Sequence, residues 1–344
     1  NCLQGTAEDN VFDITDMDKA VQRIEKAIKE NEKICIYGDY DADGITSSSL
    51  MCRYLRDRGA DVFCYIPERN KDGYGLNNSA IEYIKNEGTD LIITVDNGIS
   101  AFDEVKYANF LGMDVVITDH HRVRETLPCA CAVVNPYRKE CSELKNKNFA
   151  GVGVAFKLIE ALETGKSNKK ELLDKYSDLV TVGTIGDSIE LFGETKEVVK
   201  YGLENLLSSK TSGIISLLKC SNLYLKELDS ISVAFGIVPR INACGRMDNA
   251  RLALELLMCD DVYESDKIAV EVCKLNDLRK NIENEILEDV EKLLLKEPER
   301  KYEKIIVAEG ENWNHGVLGI VASKITQKYG KPCILITIEG ETSR

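Results

Sequence analysis

The sequence predicts an α/β fold built around a parallel, doubly wound sheet. Two patterns support this class. Short apolar runs alternate with longer amphipathic stretches through the first part of the chain, which is typical of repeated βαβ units. Several of the apolar runs also lead straight into acidic residues, and ligands of open α/β sheets lie beyond the carboxyl ends of the strands.

The predicted elements of this first domain follow one another with short connections. The strands are Lys33–Tyr37, Val62–Ile66, Leu91–Val95, Val115–Thr118 and Cys131–Val134. The helices are residues 17–31, Thr46–Arg58, Asn78–Asn86, Phe102–Leu111, Val152–Glu163, Lys170–Gly183 and Thr195–Leu207. The polar loop Glu68–Gly75 is expected to be mobile or to face a substrate.

A long helix is expected to lead to a second, smaller α/β domain. No glycine or proline occurs between Asp260 and Pro298, and apolar residues recur there every three or four positions. A strand, a helix and another strand follow, predicted at Ile305–Ala308, Gly316–Tyr329 and Cys333–Ile336. We therefore divide the chain into a metal-binding domain (1–207), a helical connector (208–300) and the start of a second domain (301–344).

Composition excludes some classes of protein and leaves others open. The net charge of −14 argues against a protein that coats DNA without specificity, but it allows a local basic groove. No apolar run is long enough to cross a membrane, and no signal peptide is visible. The 12 scattered cysteines indicate a reducing cytoplasm. A zinc site at Cys129, Cys131 and Cys141 is disfavoured, because the spacing is wrong and no histidine lies nearby in the sequence.

The turn after the first strand carries Asp39, Asp41 and Asp43 on alternate residues. Like charges packed so closely repel, so a cation is expected among them. A calcium loop is excluded because its twelfth position, counted from Asp39, is Leu50 rather than a glutamate. A solvated acidic turn remains the alternative interpretation.

Three further apolar runs end in the same way. They lead into Asp96, into Asp119-His120-His121 and, from Leu179–Val182, into Asp187. We expect these residues to meet the first turn at strand ends in one cleft. Carboxylates with an imidazole suit Mn²⁺ or Mg²⁺, and so many carboxylates favour two ions, which commonly act on phosphoryl substrates.

These segments resemble the motifs of a known family. Residues 39–44 (DYDADG), 95–98 (VDNG), 119–121 (DHH) and 183–187 (GTIGD) are similar to the first four motifs of the DHH phosphoesterases, in their RecJ-type single-strand exonuclease form. Residues 239–246 (PRINACGR) and 313–320 (WNHGVLGI) are similar to later signatures of that family. The motifs occur in the family's order over nearly the whole chain.

The resemblance implies roles for individual residues. The residues implied to bind two Mn²⁺ ions, with Mg²⁺ as the other candidate, are Asp41, Asp43, Asp96, His120 and Asp187, and the implied bridging ligands are Asp96 and Asp43. His121 is implied to hold the scissile phosphate or to protonate the leaving oxygen, and Asp39 and Asp119 to orient the ligands from outside. The implied substrate-binding residues are Arg240, Asn242, Arg246 and His315, although such arginines could instead hydrogen-bond backbone carbonyls.

The sequence also departs from the family pattern. Tyr37 stands where some relatives carry histidine. The glycine-rich motif that closes the second domain in this family, and the additional oligonucleotide-binding domain, are not in the sequence. We therefore expect a catalytic core fragment with an intact metal site and weaker affinity for DNA.

The function implied is a monomeric, Mn²⁺-dependent 5′→3′ exonuclease on single-stranded DNA in repair and recombination, working with a helicase and a single-strand-binding protein. Other activities of the superfamily, on short oligonucleotides, cyclic dinucleotides or pyrophosphate, stay open; the form of the first motif disfavours them. A non-catalytic replication scaffold is a third possibility, and such relatives have lost metal ligands that this sequence retains.

Overall fold

The structure is a computed structural model that describes residues 9–69, 73, 75–224, 227–339 and 342–343. Part of the loop Glu68–Gly75, which we expected to face a substrate, lies outside the described residues. The described part divides into a large α/β sheet region, a set of helices and a small second sheet.

The large sheet is parallel throughout, as predicted. Its strands are β1 (Ile34–Tyr37), β2 (Val62–Tyr65), β3 (Leu91–Val95), β4 (Asp114–Thr118) and β5 (Ala132–Val134). Their spatial order is β2-β1-β3-β4-β5. The chain therefore winds first towards one edge of the sheet and then towards the other, and the direction changes between β1 and β3. This switch point is where open α/β sheets place their ligands.

Helices cover both faces of this sheet, which explains why its strands are apolar without alternation. On β1, Ile34 and Ile36 belong to the core of one face, whereas Cys35 and Tyr37 belong to the core of the other. The first face packs against α1 (Met17–Glu30), α2 (Ala42–Asp57) and α5 (Gly151–Leu162), and the second against α3 (Asn78–Asn86) and α4 (Phe102–Phe110).

Helix α2 begins four residues before the predicted start at Thr46, so the acidic turn forms its first turn. Local and long-range contacts both fix this start. The side chain of Asp41 caps the helix by accepting a hydrogen bond of 3.0 Å from the backbone N–H of Gly44. The backbone N–H of Ala42 donates to Oδ1 of Asn242, 2.8 Å away and 200 residues later in the sequence. A local pattern cannot reveal the second contact.

The middle of the chain is helical, as expected. Its helices are α6 (Lys169–Gly186), α7 (Gly193–Asn205), α8 (Ser212–Cys220), α9 (Ser230–Gly236), α10 (Val238–Arg246) and α11 (Ala250–Met258). The run Leu179–Val182 was wrongly grouped with the strand ends, because it lies within α6, which starts one residue before the predicted helix and ends three residues after it. The four short helices α8 to α11 had no strong sequence signal and were not predicted.

The predicted long helix is α12 (Val262–Lys296), and it leads to the second sheet region. There the elements are β6 (Ile306–Glu311), α13 (His315–Tyr329), β7 (Cys333–Glu339) and β8 (Thr342–Ser343). Strands β6 and β7 are parallel, and β8 pairs antiparallel with β7. The end of α12 shares a separate apolar core with β6 and α13. None of the helices described has both the length and the apolar character needed to span a membrane.

A buried ion cluster joins α5 to the start of α7. The ammonium group of Lys157 contacts Glu194, and Lys169 contacts the same carboxylate at 2.6 Å. Burial alone would raise the pKa of Glu194, but the two lysines outweigh it and hold this pKa below its ordinary value. The ion cluster therefore stabilises the fold in full when the pH is above the pKa that Glu194 has in the unfolded chain. This stabilisation is lost as the pH falls through the lower pKa that Glu194 has in the folded protein.

We predict that Glu194→Gln lowers the free energy of unfolding at pH 7 by about 3 kcal/mol, because it removes the carboxylate shared by Lys157 and Lys169 and leaves both lysines with Glu160 as their remaining acidic partner. The deficit should shrink as the pH falls below the ordinary glutamate range, since the wild-type carboxyl then becomes neutral too. Denaturant unfolding at several pH values measures it. Asp174→Asn, which breaks an exposed pair with Lys170, is the control and should change much less. An equal loss in both variants would contradict the prediction.

Candidate metal and phosphate site

The acidic residues converge at the switch point of the sheet. Asp39 follows β1, Asp96 follows β3, and His120 follows β4, so three neighbouring strands deliver them to the same edge. Asp187 arrives differently, as the residue that ends helix α6. The expectation of one shared cleft is met, although one of its members comes from a helix.

Three groups of side chains bring ligand atoms within 4.8 Å of one another. They are Asp39, Asp41 and Asp96; Asp43, His120 and Asp187; and Asp96, His120 and His121. Asp96 and His120 each belong to two groups, so the three join into one cluster. The cluster contains the five side chains implied to bind metal, together with Asp39 and His121.

Asp96 occupies the middle of the cluster in an unusual backbone conformation. Its φ of 61° lies in the left-handed region, which aspartate tolerates better than most residues. Its Oδ1 lies 3.0 Å from Nε2 of His120. Neither atom has a hydrogen-bond partner in the described structure, and Oδ1 of Asp39 is also buried without one. Buried polar atoms are normally satisfied, so this donor set fits divalent cations shared between the groups.

Asp43 is fixed by the amino end of helix α5. Its two carboxylate oxygens accept hydrogen bonds of 2.6 Å from the backbone N–H of Gly151 and 2.8 Å from that of Val152. A helix amino terminus favours a negative charge, so the carboxylate is held in place while it stays ionised. A Cβ atom at Gly151 would lie 2.5 Å from Cβ of Asp96, which explains why glycine is needed there.

The histidines of the DHH segment have different environments. Asp119 accepts a hydrogen bond of 2.8 Å from Nδ1 of His121, and this bond raises the pKa of that imidazole. Burial and the neighbouring charge of His121 lower the pKa of His120 to about 4. His120 is therefore neutral near pH 7, which is the form in which imidazole binds metals. The raised pKa of His121 favours its protonated, positively charged form.

Burial and mutual repulsion make the ionised forms of these carboxylates unfavourable. Burial, reinforced by the charge of Asp41, raises the pKa of Asp39 to about 7 and that of Asp187 to about 6. Burial and neighbouring carboxylates also raise the pKa values of Asp43 and Asp96 well above the usual range. Divalent cations would reverse these shifts by neutralising the carboxylates. The cluster is thus arranged for ligands of opposite charge.

Arginines from separate parts of the chain lie next to the acidic turn. Burial and the charges of Arg69 and Arg279 lower the pKa of Arg246, while Asp41 and Tyr40 oppose that shift. The guanidinium of Arg69 stacks 4.3 Å above the ring of Tyr40, and its Nε is buried without a hydrogen-bond partner among the described residues. Sequence analysis missed Arg69, and it also missed Arg279, which lies near Arg246 and is itself paired with Glu283. The predicted substrate-facing loop was the available signal for Arg69; Arg279 had none.

The other implied substrate residues are partly engaged by the protein itself. Arg240 donates to the carbonyl of Gly236, and its Nε lies 3.3 Å from Sγ of Cys273. Arg246 donates to the carbonyl of Gly316 at 3.0 Å, which places the neighbouring, exposed His315 at the junction with the second sheet region. Asn242 holds the start of α2, as described above.

The comparisons with known proteins agree with this architecture. Residues 33–184 match the DHH family, N-terminal domain. The single-stranded-DNA-specific exonuclease RecJ of Bacillus subtilis (strain 168) is 41% identical over 330 residues, covering 96% of this chain and 41% of that protein. A crystal structure of exonuclease RecJ bound to manganese aligns with a TM-score of 0.85 and 34% identity over 96% of this chain and 81% of that chain. RecJ of Thermus thermophilus in complex with Mn²⁺ aligns with a TM-score of 0.82 and 33% identity, covering 98% of this chain and 48% of that chain.

The sheet order and the acidic cluster at its switch point thus define a doubly wound α/β protein with a candidate metal site at the carboxyl ends of its strands. The chain belongs to the DHH family, in its RecJ branch, which confirms the resemblance read from the motifs. It spans 41% of the length of the Bacillus subtilis relative.

We predict that Asp96→Asn stabilises the metal-free protein by on the order of 1 kcal/mol, because it removes a buried charge and asparagine suits the left-handed backbone. The same variant should lose the stabilisation that Mn²⁺ gives the wild type, about 2.7 kcal/mol at a hundredfold excess over Kd. Thermal unfolding in EDTA and in MnCl₂ measures both effects, with the exposed Asp103→Asn as control. A full Mn²⁺ response in Asp96→Asn would contradict the assignment.

We also predict that Gly151→Ala weakens Mn²⁺ binding at least tenfold, since the new methyl group would displace Asp96. Gly153→Ala, two residues along the same helix, is the matched control, because the nearest atom to its Cβ would be Cβ of Phe149, at 3.2 Å, and not a ligand. Titration with Mn²⁺, followed by calorimetry, compares the two. Equal affinities would show that the close approach of Gly151 does not position the ligand.

Proposed function

We propose that this chain is the catalytic core of a divalent-metal-dependent exonuclease that removes nucleotides from the 5′ end of single-stranded DNA. The observation that carries the proposal is the coexistence of two features at one sheet edge. One is the acidic and imidazole cluster suited to a pair of cations, and the other is the group of arginines beside Asp41. Relatives named single-stranded-DNA-specific exonuclease RecJ supply the substrate class.

The metal ligands in this proposal are Asp41, Asp43, Asp96, His120 and Asp187, with Asp39 close enough to join them. Mn²⁺, or Mg²⁺ in its place, supplies positive charge to the phosphate oxygens and makes water a better nucleophile when bound. Asp43 and Asp96 remain the proposed bridge. Asp96 belongs to two of the three ligand groups, which supports its proposed role as a bridging ligand.

The chain's own residues bind and orient the phosphate. Arg69 and Arg246 lie beside Asp41, where a guanidinium can hold a phosphate oxygen through paired N–H groups. His121, fixed by Asp119, is proposed to hold the scissile phosphate or to pass a proton to the leaving oxygen. Arg240, Asn242 and His315 are proposed to contact the strand, although Arg240 and Asn242 also bond to the protein.

A non-catalytic scaffold is the alternative, and the site disfavours it. A scaffold has no need to hold buried carboxylates close enough to raise their pKa values, because their repulsion destabilises the fold. The five side chains that the resemblance assigns as metal ligands belong to the same cluster, which supports the catalytic alternative. We also propose a cytoplasmic location, supported by the free cysteines, and the domain division at residues 207 and 300.

The function is tested by digesting 5′-labelled and 3′-labelled single strands in MnCl₂, beside a duplex, a short RNA and a cyclic dinucleotide. We expect mononucleotides from the 5′ end of the single strand. Asp43→Ala and Asp96→Ala should each reduce turnover at least a thousandfold, with Asp103→Ala as the matched control. Hydrolysis of the cyclic dinucleotide alone, or full activity without Asp96, would overturn the proposal.

A further inference from the structure

A cavity adjoins the cluster and has no role in the proposed hydrolysis. Its volume is 540 Å³, and its walls come from residues 120–127 and 137–140, which follow β4 and β5. His120 is a wall of this cavity as well as a member of the acidic cluster. Pockets that take small ligands measure about 300–1,000 Å³, so one small molecule can fit.

The charge around this cavity is opposite to that of the protein as a whole. Arg122, Arg124 and Lys139 line it and are exposed. Within the described part of the chain, none of the three forms an ion pair with a carboxylate, and Arg124 lies 6.0 Å from the ring of Phe102. In a chain of net charge −14, uncompensated cations around one cavity favour an anionic ligand.

The remaining charges of the cavity do not cancel these cations. Arg138 is neutralised by Asp16, 2.5 Å away, and also lies 3.5 Å from Glu140. Because Asp16 already neutralises Arg138, Glu125 and Glu140 remain as two acidic side chains of the lining, against the three cations Arg122, Arg124 and Lys139. The balance around the cavity therefore stays positive.

Tyr137 gives the cavity a fixed aromatic wall. Its side chain is 43% exposed, while its hydroxyl donates to Oδ1 of Asn148 at 3.2 Å. The buried Asn135 accepts the backbone N–H of Tyr137 at 2.8 Å and donates to the carbonyl of His121 at 3.0 Å. The ring is thus tied to the DHH segment. An exposed aromatic face beside cations is the combination that binds nucleotides, with the base stacked and the phosphate paired.

We propose that this cavity binds one nucleoside monophosphate, with its phosphate on Arg122 and Lys139 and its base against Tyr137. The proposal rests on the proposed function, because His120 borders both sites and a nucleotide cut at the cluster is released beside the cavity. A single unit fits better than a running strand, since the cavity is bounded by two short segments. Its occupant is therefore the released product.

The test is calorimetric titration of the chain with 2′-deoxyadenosine 5′-monophosphate in MgCl₂. Arg122→Glu with Lys139→Glu should weaken binding at least tenfold. The control reverses two charges at the other end of the sheet, Lys29→Glu with Lys85→Glu, and should leave binding unchanged. Tyr137→Ala should weaken binding about tenfold, while Tyr137→Phe, which keeps the ring, should not.

Inorganic phosphate is the second probe, and it separates the two parts of the ligand. Its binding should weaken in the charge-reversal variant but not in Tyr137→Ala. Wild-type protein that does not bind the nucleotide, or charge-reversal protein that binds it as well as wild type, would overturn the pocket even if the strand is digested. Nucleotide binding that is weakened by the Arg122 and Lys139 charge reversal and by Tyr137→Ala supports the pocket even if no strand is cut. In that case only the proposed function fails.

Discussion

Repulsion among buried carboxylates is the constraint on which the rest of this structure depends. Three carboxylates of the cluster are almost inaccessible to solvent: Asp39, Asp43 and Asp96. They lie so close together that their negative charges repel one another. Such a cluster persists only if the surrounding fold holds each group rigidly and if cations join it in use. The fold provides the first condition through strands, a helix amino terminus and glycine contacts.

The rigidity is distributed over distant parts of the chain. Asp43 is held by the backbone of α5, the start of α2 by Asn242 of α10, and the ring of His121 by Asp119. Of these partners, Val152 and Asp119 are buried and Asn242 is half-buried. Preorganised ligands of this kind bind cations without the free-energy cost of reorganising the site. Such rigid sites favour both tight binding and electrostatic catalysis.

Positively charged side chains lie on two sides of the acidic cluster. Arginines lie beside Asp41, where we propose that they hold phosphate together with the cations, and the basic cavity with Tyr137 adjoins His120. A protein with a strongly negative net charge therefore still presents cations, unpaired within its described part, beside the site where a nucleotide would bind. Such local concentration gives specificity that the net charge conceals.

The sequence by itself determined a large share of this picture. Apolar runs ending in Asp39, Asp96 and Asp119 predicted parallel strands with a shared metal site, because strand periodicity and charge repulsion are local properties. The helix α3 and the strand β3 were predicted to the residue for the same reason. The family motifs added the roles of individual side chains.

Only the tertiary structure decided the rest. The sequence assigned Leu179–Val182 both to a helix and to a strand-like run, and the packing of α6 against α2 and α7 decides for the helix. Arg69 reaches the acidic turn, and Arg279 lies near Arg246 while it pairs with Glu283; these residues are far apart in the sequence, and no spacing rule connects them. The cavity at Tyr137 likewise forms from two separate loops. Contacts between distant segments depend on how the chain closes on itself, and that information lies in packing rather than in any local pattern.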